Sequence, residues 1–105
     1  APENTMPAFQ LGIDLNVDYI ELDVQKSSDD SLMVIHDATV NGTTESSGLV
    51  SSYTYAELKL MDAGSWFSNE YIGTEIPTLH EVLQLVQGQA KLCVEPSPPI
   101  IQREL

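Results

Sequence analysis

The stretch Tyr19-Ile20-Glu21-Leu22-Asp23-Val24-Gln25 decides how the rest of this chain is read. Its side chains alternate strictly. Ile20, Leu22 and Val24 fall on one side and Tyr19, Glu21, Asp23 and Gln25 on the other, which is the period of a β-strand. One face is apolar and demands a cover; the other is acidic. Glu21 and Asp23 are two apart, so they leave the same face about 7 Å apart at the backbone, near enough for both carboxylates to reach one cation.

Upstream of this strand, Asn4 or Thr5 can cap a helix running to about Asn16. Pro7 is tolerated in its first turn, and Met6, Phe9 and Ile13 share one face, while Gly12 weakens it slightly. Downstream, the polar run Lys26 to Ser31 is a turn. Leu32 to Asp37 reads as a second short strand, with Leu32, Val34 and His36 on one side and His36 at its end. Ala38 to Ser52 is dominated by Ser, Thr, Gly and Asn and is expected to be a surface loop.

Thr54-Tyr55-Ala56-Glu57 and Thr78-Leu79-His80-Glu81 both match a capping box, in which hydroxyl and carboxylate each satisfy an orphan amide at a helix start. The first helix turns Leu58 and Met61 inward and stops near Gly64. The second buries Leu79, Val82, Leu83 and Val86 and stops at Gly88. Ser65 to Pro77 between them is an aromatic-bearing loop. Lys91 to Glu95 resumes the strand pattern, with Leu92 and Val94 on the helix side and Cys93 and Glu95 opposite. Pro96, Pro98 and Pro99 end it, and Ile100 to Leu105 can begin another helix.

Alternating helices and strands predict one α/β domain over residues 1–105 built on a parallel sheet, whose ligands gather at the carboxyl ends of the strands. Glu95 then joins Glu21 and Asp23 on one layer. Like charges side by side on a sheet call for neutralisation, and a divalent ion supplies it together with Lewis acidity. An all-oxygen ligand set favours Mg²⁺ or Ca²⁺ over Zn²⁺. From spacing alone the pair also fits an ordinary solvent-facing strand side. His36, with an ordinary pKa of about 6.5, suits general acid or base work, and equally a hydrogen-bonded surface role. His80, inside a capping box, is assigned no role.

Composition removes other function classes. Sixteen acidic against four basic side chains give a formal charge of −12, which repels a phosphate backbone and an anionic membrane surface, so nucleic acid is not an expected partner. Neither a signal-like segment nor an apolar run of roughly 18 residues is present in the given chain, which is expected to be soluble with no stable membrane insertion. Cys93 is the sole cysteine, so no internal disulfide forms, and it reads as a small core residue.

With those residues placed, five segments together resemble the glycerophosphodiester phosphodiesterase family: Pro2-Glu3-Asn4-Thr5, Tyr19 to Val24, Val34-Ile35-His36-Asp37, Asp62-Ala63-Gly64-Ser65-Trp66-Phe67 and Ile76-Pro77-Thr78-Leu79. Their order and spacing fit from Ala1 to about Glu95. The resemblance implies a (β/α)₈ TIM barrel, present here as a partial barrel of about three parallel strands with flanking helices. It also implies hydrolysis of a glycerophosphodiester to glycerol 3-phosphate and an alcohol, with a divalent cation, Mg²⁺ or Ca²⁺. Carried over residue by residue, Glu21, Asp23 and Glu95 match the metal ligands and His36 the histidine that protonates the leaving alcohol. Trp66 and Phe67 resemble the aromatic stretch beside the site, where they either wall the alcohol side or pack in the core.

The chain also departs from the family pattern. The family's His-Arg-Gly element falls upstream of Ala1. Ser97 stands where a lysine commonly follows the third acidic ligand, and Asn41-Gly42 where an Asp-Arg pair is usual. A partial barrel exposes apolar faces, so self-association, or pairing with a missing barrel half, is expected. Two other readings remain open: a non-catalytic cation-binding or interaction module, and a related phosphodiesterase of lysophospholipids or sphingolipids.

Overall fold

The computed structural model describes residues 1–96, so Ser97 and the helix start expected over 100–105 lie outside the described residues. Helix α1, Met6–Asp14, opens after Thr5 with Pro7 in its first turn. The Thr5 hydroxyl does not cap it but donates to the Pro2 carbonyl oxygen at 2.6 Å, closing the turn before the helix. Phe9 is buried, and Met6 and Ile13 pack against the same core. The helix ends ahead of Asn16, which adopts the left-handed conformation at φ 60° that its short amide side chain tolerates.

Among the described residues, strand β1, Tyr19–Lys26, is the centre of a three-stranded sheet ordered β2-β1-β3, with β2 at Leu32–Val34 and β3 at Lys91–Pro96. β3 lies parallel to β1 in a register that sets Glu21 beside Cys93 and Asp23 beside Glu95. The expected three parallel strands need one correction: β2 runs antiparallel, pairing Val24 with Val34 and Lys26 with Leu32. The chain from Ser27 to Ser31 closes on itself through a 2.9 Å bond from the Ser27 amide to the Ser31 carbonyl. A link this short makes a hairpin, since a parallel return needs a crossover of about a dozen residues or more. β2 also ends at Val34, so His36 stands beyond it in irregular chain.

Both faces of the sheet carry a core. Ile20, Leu22, Val24 and Val34 meet Phe9 of α1 and Val82 and Val86 of a later helix. Met33 and Ile35, pointing the other way, join Val40, Val50, Leu58, Met61, Ala63 and Ile76. The segment Ala38 to Ser52, expected as a surface loop, is therefore anchored. Val40 and Val50 are fully buried, the Val50 amide donates to the Ala38 carbonyl, and a 3₁₀ turn forms at Val50–Ser52.

Helices α2, Tyr55–Lys59, and α3, Leu79–Val86, begin where their capping boxes placed them. In each, the threonine hydroxyl accepts from the glutamate amide and the glutamate carboxylate accepts from the threonine amide. Met61 is buried beyond the end of α2. Past α3, Gly88 takes φ 74°, the left-handed step for which glycine carries no steric cost. Leu83 departs from expectation at 47% exposed, because Val82 and Val86 face the sheet and Leu83 flanks them. Among the described residues no helix is long and apolar enough to cross a membrane.

Candidate functional site

The alternation in β1 carries the site. Burying Ile20, Leu22 and Val24 beneath α1 and α3 forces Tyr19, Glu21, Asp23 and Gln25 onto the opposite face, and the parallel register brings Cys93 and Glu95 alongside. Glu21, Cys93 and Glu95 each offer a donor atom, and these atoms lie within 4.8 Å of one another, a spacing compatible with one ion. Asp23 falls outside that trio but lines the same open cleft. The cleft has a volume of about 720 Å³ and is walled by Glu3, Asn4, Glu21, Asp23, His36 and Glu95, with Ala8, Phe9 and Gly12 of α1 among its apolar members. Among the described residues no lysine or arginine lines it. Cys93 is exposed, where a core position was expected, because the odd face of β3 has no cover among the described residues.

His36 is fixed to this arrangement through its main chain. The Ile35 amide donates to the Asp23 carbonyl at 3.1 Å, and the Gln25 side-chain amide donates to the His36 carbonyl at 3.0 Å. Its imidazole Nδ1 lies 2.7 Å from Asp37 Oδ1. That hydrogen bond raises the imidazole above its ordinary pKa; partial burial opposes the shift, and the charges of Asp23, Asp37 and Glu3 reinforce it.

Trp66 and Phe67 are half-exposed and do not line this cleft. The indole Nε1–H donates to the Ala63 carbonyl at 2.9 Å, and Ala63 lines a narrow crevice that also touches His36. The rings of Trp66, Phe67 and Tyr71 stack edge to face in a row. Asp62 organises their loop, accepting from the amides of Gly64, Ser65 and Gly73 and from the Ser65 hydroxyl. Those donors, the Ser65 hydroxyl first, hold its carboxyl well below the usual range. His80 sits on α3 in a separate groove with Leu32 and Leu83.

Reading the sequence alone missed Gln25, Glu3 and Asn4 as members of the site. Gln25 carried a signal, being next after Glu21 and Asp23 in the alternation of β1. Glu3 and Asn4 carried none beyond the motif that contains them, since only the packing of α1 brings the N-terminal turn over the strand.

The model of the glycerophosphoryl diester phosphodiesterase family matches residues 1–104. A glycerophosphodiester phosphodiesterase of Caldanaerobacter subterraneus subsp. tengcongensis is 48% identical over 85 residues, covering 81% of this chain and 35% of its own length. The crystal structure of a glycerophosphodiester phosphodiesterase from Agrobacterium tumefaciens superposes with a TM-score of 0.89 at 41% identity, over 91% of this chain and 42% of that one. An Oleispira antarctica phosphodiesterase, solved with the product sn-glycerol-3-phosphate, gives 0.89 at 36% identity, over 92% of this chain and 40% of its own. The chain thus spans well under half the length of the relatives it matches.

Proposed function

Because the chain belongs to the glycerophosphoryl diester phosphodiesterase family, we propose that its acidic cleft holds a divalent cation and serves, with His36, the hydrolysis of glycerophosphodiesters to glycerol 3-phosphate and an alcohol. The observation that carries this reading is the convergence of Glu21 and Glu95 in a cleft that also contains Asp23 and His36 and, among the described residues, has no lysine or arginine in its lining. Carboxylates gathered with no lysine or arginine among them fit a hard divalent cation, Mg²⁺ or Ca²⁺, with Glu21, Glu95 and Asp23 as its ligands. Such an ion, when bound, neutralises phosphodiester oxygens and polarises phosphorus. The product held by the Oleispira relative supports a small-molecule substrate of the same class.

His36 supplies the proton. Raised by Asp37, its imidazole stays protonated to higher pH than an ordinary histidine. It passes that proton to the alcohol oxygen as the bond to phosphorus breaks, and the water that becomes bonded to phosphorus gives up one proton in turn, which restores the imidazolium. The aromatic row of Trp66, Phe67 and Tyr71 offers an apolar surface to the alcohol moiety, reached past Ala63 on the His36 side.

The assay is release of sn-glycerol 3-phosphate from glycerophosphocholine with Mg²⁺ or Ca²⁺. Release that depends on the cation and disappears in a Glu21→Ala/Asp23→Ala variant is the expected result, and release that survives the double change rules out the proposed ligands. A second reading, cation binding without turnover, is favoured by one fact: among the described residues His36 is the only histidine in the cleft. Divalent binding by calorimetry with no product release selects it.

A further inference from the structure

His36 and Asp37 are adjacent in sequence, and neighbouring side chains in extended chain normally diverge. Here β2 has already ended and the chain bends, so the two meet, with Nδ1 and Oδ1 2.7 Å apart. The histidine itself stands on a fixed stem. Its carbonyl accepts from Gln25, and the preceding amide, that of Ile35, donates to Asp23, so both restraints come from the strand that carries Glu21. An imidazole has two nitrogens, and the bond made by one decides the protonation of the other. With Nδ1 engaged, Nε2 is the nitrogen free to face the cleft that His36 lines.

We propose that Asp37 is a positioning residue, whose carboxylate holds the neutral His36 as the Nδ1–H tautomer and leaves Nε2 to exchange a proton with whatever occupies the acidic cleft. Gln25 has the complementary task of fixing the backbone from which the ring projects. The value of this arrangement for catalysis rests on the phosphodiesterase reading; the tautomer itself does not.

The charged groups that face His36 are Asp37 beside it, Asp23 from β1 and Glu3 from the N-terminal turn. All three favour the imidazolium, but only Asp37 touches the ring. Replacing Asp37 therefore changes the tautomer, and replacing the other two changes only the strength of the field.

The test is ¹⁵N-histidine NMR of the full chain across pH, with His36 assigned by comparison with a His80→Gln variant. In the parent protein neutral His36 is expected to carry its proton on Nδ1. Asp37→Asn should lower its titration midpoint and mix the two tautomers, and Asp37→Glu should restore the Nδ1–H form. Gln25→Ala should loosen the backbone at His36 and leave the tautomer in place. A neutral His36 protonated on Nε2 overturns the proposal, as does an Asp37→Asn spectrum that titrates like the parent. A Gln25→Ala variant that mixes the tautomers as fully as Asp37→Asn overturns it too, because backbone placement would then suffice. No substrate or cation enters the measurement, so absence of hydrolysis contradicts the proposed function and leaves this inference standing.

Discussion

A methyl group built on Gly64 would lie 1.9 Å from the Tyr71 carbonyl oxygen and 2.7 Å from Thr74 Oγ1. Backbone cannot swing aside as a flexible side chain can, so Gly64→Ala should destabilise the fold by about 1–3 kcal/mol or more, read from the denaturation midpoint. The neighbouring Asp62 makes a different kind of prediction. Its folded carboxyl is held below its unfolded value by the Ser65 hydroxyl and three amides. The stability it adds is therefore present above the unfolded carboxylate range of about 3.9 and lost as pH falls through the folded value. Asp62→Asn should flatten the acid limb of melting temperature against pH while changing little at neutrality beyond the loss of the charge-assisted bonds. The sequence displayed this segment as a motif, but its reason is tertiary: Asp62, Gly64, Tyr71 and Thr74 must close one loop, and no local propensity announces that.

At the scale of elements, the helix starts were the most legible feature, because a capping box is a local device whose partners sit three residues apart. Thr54→Ala and Thr78→Ala should each cost about 1 kcal/mol in chemical denaturation. The Thr78 change should also loosen Lys59, which is held by Glu75, Glu81 and the Ile76 carbonyl at the same helix start. Strand β1 was legible for a similar reason, since strict alternation leaves one covered face and one acidic face. The direction of β2 was not read correctly, although the brevity of the Ser27 to Ser31 link contained the answer. The anchoring of Val40 and Val50 could not be read at all. Two isolated valines in a polar run have no period, and only the second core, formed by Met33, Ile35 and Leu58 on the far side of the sheet, gives them somewhere to go.

Across the whole molecule, the acidic face of β1 and the histidine beyond β2 come together because a hairpin and a parallel strand flank the same central strand. The alternation set Glu21 and Asp23 on that face with Glu95 on the same layer, the resemblance grouped them with His36 at a strand end, and all four line one cleft. The sequence placed Cys93 in the core, whereas the register sets it against Glu21. Leu11, Leu15, Leu60, Ile72, Leu83 and Val94 are each at least 41% exposed. That much uncovered apolar surface should drive concentration-dependent association of the isolated chain, visible in sedimentation velocity as a mass that rises with loading, despite the net negative charge. The central claim is that the acidic cleft binds a doubly charged cation, and calorimetric titration of Mg²⁺ or Ca²⁺ into the chain addresses it most directly. Saturable one-site binding that is lost in Glu21→Gln/Glu95→Gln is the predicted result. Binding of undiminished strength in that variant, or no saturable heat in the parent chain, would contradict it.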